Sequence, residues 1–335
     1  MVSFESSRLK DLFQAFDGKR IAVVGDLMLD RYYWGSVMRI SPEAPVPVVE
    51  VDEESTRLGG AANVANNIAS LGGVPFLVGV AGADGGGVLL RKTIEGQGFS
   101  TDGVVTDPAR PTTVKTRVIA HSQHVVRIDQ EVKSDIDASI QKRILDVLAS
   151  HMAQLDGIIL EDYNKGVLTR DMIRGAIELA TRHQKIITVD PKFHNFFEYQ
   201  KATVFKPNRK ETEEALGVRL ISQQDVEKAG KTLLQRLSAD NVLMTLGEKG
   251  MALFERSGAV SFVPTHARHV ADVSGAGDTV IATLTVALAA GASVKEAAAL
   301  ANVAGGIVCG EVGIVPIQKE DLCEAVIHSD EHQAS

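Results

Sequence analysis

Seven consecutive residues, Asp272-Val-Ser-Gly-Ala-Gly-Asp278, precede an apolar, Ala- and Leu-rich run from Thr279 to Ala290 that stops at Gly291. The pattern predicts a mostly buried helix with Gly291 just past its C-terminus. Ser274, Gly275, Ala276 and Gly277 then stand at the helix N-terminus. Small side chains there leave backbone N–H groups uncovered, and the helix dipole adds partial positive charge. The combination suits an anion, above all charge developing on a phosphoryl group in transfer. Asp278 falls in the first turn beside this hole, where a carboxylate can take a proton from an attacking hydroxyl. Read alone, the same stretch also fits a tight turn with Asp278 complementing the dipole. The rest of the chain decides between the two.

The elements that must position these residues read as repeated βα units. Ile21-Ala-Val-Val-Gly25 is a continuous apolar run and predicts a buried strand. Asp26 and Asp30 follow it, and in open α/β sheets ligands bind at the carboxyl ends of strands. Gly59-Gly60-Ala-Ala-Asn63 predicts a turn into a small-residue helix, where backbone can approach a ligand closely and Asn63 can reach a sugar hydroxyl. Strand 157–160 leads to Glu161, Asp162, Tyr163 and Lys165, and strand 186–189 to Asp190 and Lys192. Strand 203–205 leads to Lys206-Pro-Asn208-Arg209-Lys210-Glu211, and strand 241–245, ending at Thr245, to Gly247 and Gly250. Such alternation predicts an α/β fold, a central mostly parallel sheet flanked by helices. Polar residues gather after each strand, so the cleft is expected at that end.

Tyr32 to Val51 differs in character, with prolines inside a β-branched run, as suits edge strands. A second alternating segment, Thr112 to Ala120 and His124 to Asp129, is expected to pair with it. Together, about 32–58 and 112–130 predict a small β-flap over the cleft, a lid whose exposed face mediates homodimerisation. Arg39, Lys115, Arg117 and Arg127 make it basic; a solvated strand face is the alternative for any one of them.

The chain has 335 residues, 44% of them hydrophobic, enough for a large core in one domain or two. With 35 basic and 43 acidic residues its net charge is −8, which argues against nucleic-acid binding. The two cysteines, Cys309 and Cys323, lack metal-ligand spacing and fit free thiols in a reducing compartment. The first residues have no secretory pattern, and Gly, Asp or Asn interrupts each long apolar run before it could span a bilayer. A cytoplasmic protein without membrane partners is expected.

No Gly-x-x-x-x-Gly-Lys-Ser/Thr loop, dinucleotide fingerprint, nucleophile elbow or His-Glu-x-x-His pair occurs. A helix-terminus anion hole, an adjacent base and a βα cleft with acidic and amide groups remain. These suit phosphoryl transfer, where positioning and charge neutralisation supply most of the catalysis. Mg²⁺ normally assists, held by few protein groups and several waters. Asn208 and Glu211, one helical turn apart, are the metal candidates, acting through that water shell.

Asp272–Asp278 resembles the C-terminal signature of the ribokinase-like (PfkB) carbohydrate kinases. Gly59 through Gly72 resembles the N-terminal signature, and Asn208-Arg-Lys-Glu211 the family's Asn-x-x-Glu motif. The resemblance covers nearly the whole chain and implies one kinase domain, 1–335, with a β-sheet lid often used for dimerisation. Gly25–Gly35, Arg39–Val48 and Glu161–Gly166 are further similar to heptose 7-phosphate kinases of lipopolysaccharide core synthesis. That implies ATP-dependent phosphorylation of the anomeric hydroxyl of D-glycero-β-D-manno-heptose 7-phosphate. It places Asp278 as base within the Gly275, Ala276, Gly277 anion hole. ATP falls along Asn208, Arg209, Lys210, Glu211, Thr245, Gly247, Gly250, Gly275 and Gly277, with Asn302 near the base. Asp26, Asp30, Gly59, Gly60 and Asn63 match sugar-binding positions. Arg39, Glu161, Lys165 and Lys192 are further substrate candidates, the basic ones for its phosphate. Some relatives bind a monovalent cation such as K⁺ near the anion-hole loop. No adenylyltransferase signature is present. Val273-Ser274 departs from the Thr-Thr or Thr-Arg of many members, but both residues are small. Other sugars, sugar phosphates or nucleosides, or a sugar sensor without catalysis, are the competing readings.

Overall fold

The computed structural model describes residues 4–121, 123–265, 273–311 and 313–331. Asp272, the first residue of the chemical motif, and Ser122 of the flap lie outside the described residues.

Helix α1, Ser6–Ala15, leads into strand β1, Arg20–Gly25, and the long strands β2, Leu27–Ile40, and β3, Pro47–Gly60, follow. Next come α2, Ala61–Ser70; β4, Val74–Gly82; α3, Gly85–Gly96; and three strands, β5, Val104–Asp107, β6, Thr113–Ala120, and β7, Gln123–Gln130. Regular alternation then takes over: α4, Ala138–His151; β8, Gly157–Glu161; α5, Arg170–Arg182; β9, Ile186–Asp190; and β10, Val204–Phe205. Helices α6, Arg209–Leu216, and α7, Gln223–Leu237, precede three strands, β11, Asn241–Thr245, β12, Met251–Glu255, and β13, Val260–Val263. The chain closes with α8, Ala276–Ala289; α9, Val294–Val308; and α10, Lys319–Glu331.

Nine strands form one sheet in the order β13-β12-β11-β10-β9-β8-β1-β4-β5. It is parallel except at the end where β12 and β13 pair antiparallel. Alternate side chains along each strand enter different cores, as the period of two requires. Ile21, Val23, Leu77 and Ile159 pack with α1, α2, α8 and α9 on one face. Ala22, Val24, Val78, Ile158 and Leu160 pack with α4, α5 and α7 on the other. Burial on both faces explains why these strands read as unbroken apolar runs. From β1 the order runs outward to β4 on one side and to β8 on the other. Such a switch point leaves a crevice at the carboxyl ends of the strands.

Four strands form a smaller sheet in the order β3-β2-β6-β7. Its first strand starts at Leu27, earlier than residue 32, because β2 grows directly out of the end of β1 with only Asp26 between. The two segments do pair: Asp30 lies opposite Lys115 in parallel register, and opposite Arg57 in the antiparallel one. Pro47 opens the edge strand β3, where its missing N–H costs no ladder bond. Since β3 ends at Gly60 and α2 begins at Ala61, the smaller sheet is tied to the main one at the crevice from both sides.

Candidate active site

Helix α8 begins at the expected place. Gly275 is its N-cap with φ of +80°, a left-handed conformation that glycine adopts without strain. A Cβ there would also stand 3.2 Å from Ile314 Cγ2. The N–H groups of Gly277 and Asp278 follow in the first turn, where helical geometry supplies no intrahelical acceptor. Asp278 itself is buried, and both carboxylate oxygens are engaged. Asn63 Nδ2 donates to Oδ2 at 2.6 Å and the Tyr163 hydroxyl donates to Oδ1 at 2.7 Å. Asn63 comes from the first turn of α2 and Tyr163 from the loop after β8, so three separate elements fix the carboxylate. Burial pushes the Asp278 carboxyl up to about 6, and Asp190 adds to the rise, while Asn63, Tyr163 and Lys206 pull it down. A carboxylate so tuned is ionised at neutral pH yet basic enough to accept a proton.

Behind the helix terminus lies a buried ion cluster. Lys206 Nζ sits 2.7 Å from Asp190 Oδ2 and is only 3% exposed. A Cβ on Gly277 would stand 3.6 Å from Asp190 Oδ2 and 3.8 Å from Lys206 Nζ, so this pair faces the anion hole. Lys192 Nζ contacts Glu211 Oε1 at 2.6 Å and Asp190 Oδ1 at 3.6 Å, and lies 5.7 Å from the centre of the Tyr163 ring. Burial opposes its charge, but Asp190 and Glu211 prevail and hold the Lys192 ammonium above its ordinary pKa. Glu161 is fully buried, and neither carboxylate oxygen has a hydrogen-bond partner among the described residues. Desolvation, then Asp190 and Asp278, push its pKa well up.

A cavity of about 980 Å³ opens onto this centre. Its walls include Lys192, Asn208, Arg209, Lys210, Thr245, Gly247, Gly250, Gly275, Ala276, Gly277, Asp278 and Asn302. Asn208 caps α6 by accepting the Glu211 N–H at 2.9 Å, while Glu211 Oε2 accepts the Asn208 N–H at 2.8 Å. This closed capping box accounts for the Asn-x-x-Glu spacing. Asn302 donates to the Pro264 carbonyl at 2.7 Å and holds the rim.

Mg²⁺ finds no direct carboxylate ligand at Asn208 and Glu211. Glu211 spends one oxygen on a backbone N–H and the other on Lys192, so it fits a hydrated ion through water and not by direct ligation. Among the described residues no group of three or more His, Cys, Asp or Glu side chains is arranged to hold a metal.

Other sequence candidates are used differently. Asp26 accepts three backbone N–H groups, from Tyr163 at 2.8 Å, Lys165 at 3.0 Å and Val167 at 3.2 Å. It folds the loop that carries Tyr163, and burial, with Asp162 adding to it, pushes its carboxyl up to about 6. Asp30 is ion-paired with Arg117 from the smaller sheet. A Cβ on Gly59 would stand 2.3 Å from Asp30 Oδ2, which is why that position must stay bare. Gly60, with φ of +57°, turns the chain into α2. Lys165 pairs with Glu131 at 2.7 Å, away from the cavity. Arg39 is exposed near the end of β2, 4.0 Å from Glu50, and is not brought to the site. Tyr163, Asp190 and Lys206 were legible as polar residues at strand ends, but nothing local to them gave a role. A lysine immediately before Pro207, at the end of a buried strand, was the available signal.

Among the described residues no helix is long and apolar enough to cross a membrane. The sequence matches the model of the pfkB family carbohydrate kinases over residues 19–320. It is 45% identical to "Bifunctional protein HldE" of Helicobacter pylori (strain J99 / ATCC 700824) over 91% of this chain and 65% of the relative. It is 42% identical to the protein of the same name from Geobacter sulfurreducens over 95% of this chain and 65% of the relative. The chain thus spans about two thirds of the length of these relatives. Among solved structures it is similar to a ribokinase of Arabidopsis thaliana complexed with ribose and ATP. The TM-score there is 0.72, with 19% identity, over 92% of this chain and 99% of the other. With the two signatures folded around one buried carboxylate at a helix N-terminus, the chain belongs to the pfkB family of carbohydrate kinases.

Proposed function

We propose that this chain transfers the γ-phosphoryl group of ATP to the anomeric hydroxyl of D-glycero-β-D-manno-heptose 7-phosphate, giving the 1,7-bisphosphate. The observation that carries the transfer chemistry is Asp278, held by Asn63 and Tyr163 in the first turn of α8. The choice of sugar rests on the similarity of residues 25–35, 39–48 and 161–166 to heptose 7-phosphate kinases, and the "Bifunctional protein HldE" relatives support it. Tyr163, from the third of these segments, touches the base directly.

In this reading Asp278 takes the proton of the anomeric hydroxyl as the hydroxyl oxygen attacks the γ-phosphorus, whose bond to the β-phosphate oxygen breaks so that ADP leaves. The N–H groups at the start of α8 and the Lys206 ammonium meet the charge on the phosphoryl oxygens. Asn208, Thr245 and Gly247 flank the nucleotide. Mg²⁺ would supply charge neutralisation for the nucleotide phosphates there, and Glu211 would hold it through its water shell. The smaller sheet serves as a lid that excludes water and as the surface of a homodimer. A monovalent cation near the anion-hole loop, and action in the cytoplasm, complete the proposal.

ATP consumption with Mg²⁺ against heptose 7-phosphate, fructose 6-phosphate, ribose and adenosine tests it. A strong preference for heptose 7-phosphate, with a new anomeric phosphate in ³¹P NMR, is expected. Preferential turnover of another sugar would overturn the substrate, and binding of sugar without any turnover would overturn the catalytic role.

A further inference from the structure

The acceptor in this proposal already carries a phosphate, which must be seated away from the reacting hydroxyl, and the inference rests on that reading. Beside the base, on the far side of Asn63, lies a second cavity of about 560 Å³, lined among others by Arg57, Asn63, Asn66, Ser70 and Ile314. Asn63 is therefore a shared wall: its Nδ2 holds Asp278, and the residue also borders this cavity. The loop at Gly313 and Ile314 connects the two places as well. Ile314 packs against Gly275 at the anion hole, and its carbonyl accepts from Arg57 Nη1 at 3.4 Å.

Two guanidinium groups converge on one aromatic ring, and Arg57 of the two also lines the cavity. Arg57 from β3 and Arg117 from β6 stand 5.6 and 5.3 Å from the centre of the Tyr32 ring. A shared aromatic surface fixes both planes at a modest cost in side-chain freedom. Their charges are balanced differently. Arg117 is ion-paired with the buried Asp30. Arg57 has no carboxylate within ion-pair distance among the described residues, and its bond to the Ile314 carbonyl leaves four N–H donors to spare. Arg117 is balanced by its own carboxylate, so Arg57 supplies the positive charge and the donor fork suited to a phosphate dianion.

We infer that Arg57, with Arg117 beside it, seats the phosphate that the acceptor sugar already carries. This makes Arg57 a specificity-determining residue. Arg39 and Lys165, the other basic candidates on the flap side, point elsewhere or are spent on Glu50 and Glu131.

The test compares heptose 7-phosphate with the same heptose lacking the phosphate, in the full chain and in Arg57→Gln. Loss of a charge-assisted contact is expected to raise KM for the phosphorylated sugar about 10- to 100-fold. The ratio of kcat/KM between the two sugars then collapses toward unity. Inorganic phosphate, used as a probe, should compete with heptose 7-phosphate in the parent protein and lose that competition in the variant. An equal loss on both sugars, or none on either, would overturn the assignment. If the parent protein prefers another sugar phosphate and Arg57→Gln selectively weakens it, the heptose reading fails and the phosphate seat stands. If the parent protein does not favour phosphorylated acceptors at all, both fail.

Discussion

Replacing Tyr163 by Phe removes one hydroxyl and leaves the ring in place. That hydroxyl donates to Asp278 Oδ1 at 2.7 Å in a buried site. A hydrogen bond to an ionised partner contributes about 1.5–3 kcal/mol, and one pKa unit corresponds to about 1.4 kcal/mol. The bond stabilises the ionised carboxylate, so its loss raises the pKa, by about one unit once neighbouring water has compensated in part. Asp278, held at about 6 by burial, then titrates about one unit higher. Because the base must be ionised to act, the acid limb of the kcat/KM profile moves toward neutrality. At pH 6 the ionised fraction drops about 5-fold, whereas at pH 8 it barely changes. The assay is kcat/KM for the sugar from pH 5 to 9 at saturating ATP. An acid limb that stays in place in Tyr163→Phe would refute the argument, as would a uniform loss at every pH.

Asp278→Asn keeps the side-chain shape, and the amide can still bond to Asn63 and Tyr163 in one flip state. Turnover should fall by about 10²–10⁴ while calorimetric binding of sugar and ATP persists; unaltered turnover would remove Asp278 from its role. Lys206→Met leaves Asp190 buried with only the longer contact to Lys192 at 3.6 Å. Urea unfolding should show a loss of about 3–5 kcal/mol, and adding Asp190→Asn should recover part of it; a double variant no better than the single would contradict the pairing. Asn208→Ala opens the capping box of α6 and should cost about 1 kcal/mol in thermal unfolding, with a higher KM for ATP. An unchanged KM would separate this helix start from the nucleotide.

Much of this was legible in the sequence because it is local. The buried strands β1 and β8 announce themselves as apolar runs, and α8 by its small-residue entry and Gly291 exit. The Asn-x-x-Glu spacing is a capping box whatever else it does. What escaped is what depends on distant partners. Asp26 reads as a ligand at a strand end, but its structural task, accepting three backbone N–H groups of the loop at 163–167, has no local sign. Arg39 lies in a segment that resembles a substrate-binding one, but the register of β2 on β3 carries it to the far end of the smaller sheet. The antiparallel strands β12 and β13 complete the mostly parallel sheet that the βα alternation predicts, but no turn or period marked them in advance. Tyr163 reaches Asp278 only because Asp26 bends its loop, a relation no pattern within either segment encodes.

The proposed base, Asp278, is held by remote parts of the chain. Its partners lie 215 and 115 residues away in sequence, Asn63 near the start and Tyr163 at mid-chain. Contacts that span so much chain form only after the intervening loop entropy has been overcome. Local helices can therefore form while the Asp278 carboxylate is still without its supports. On the proposed reading, competence belongs to the completed molecule, and helix content alone does not report it.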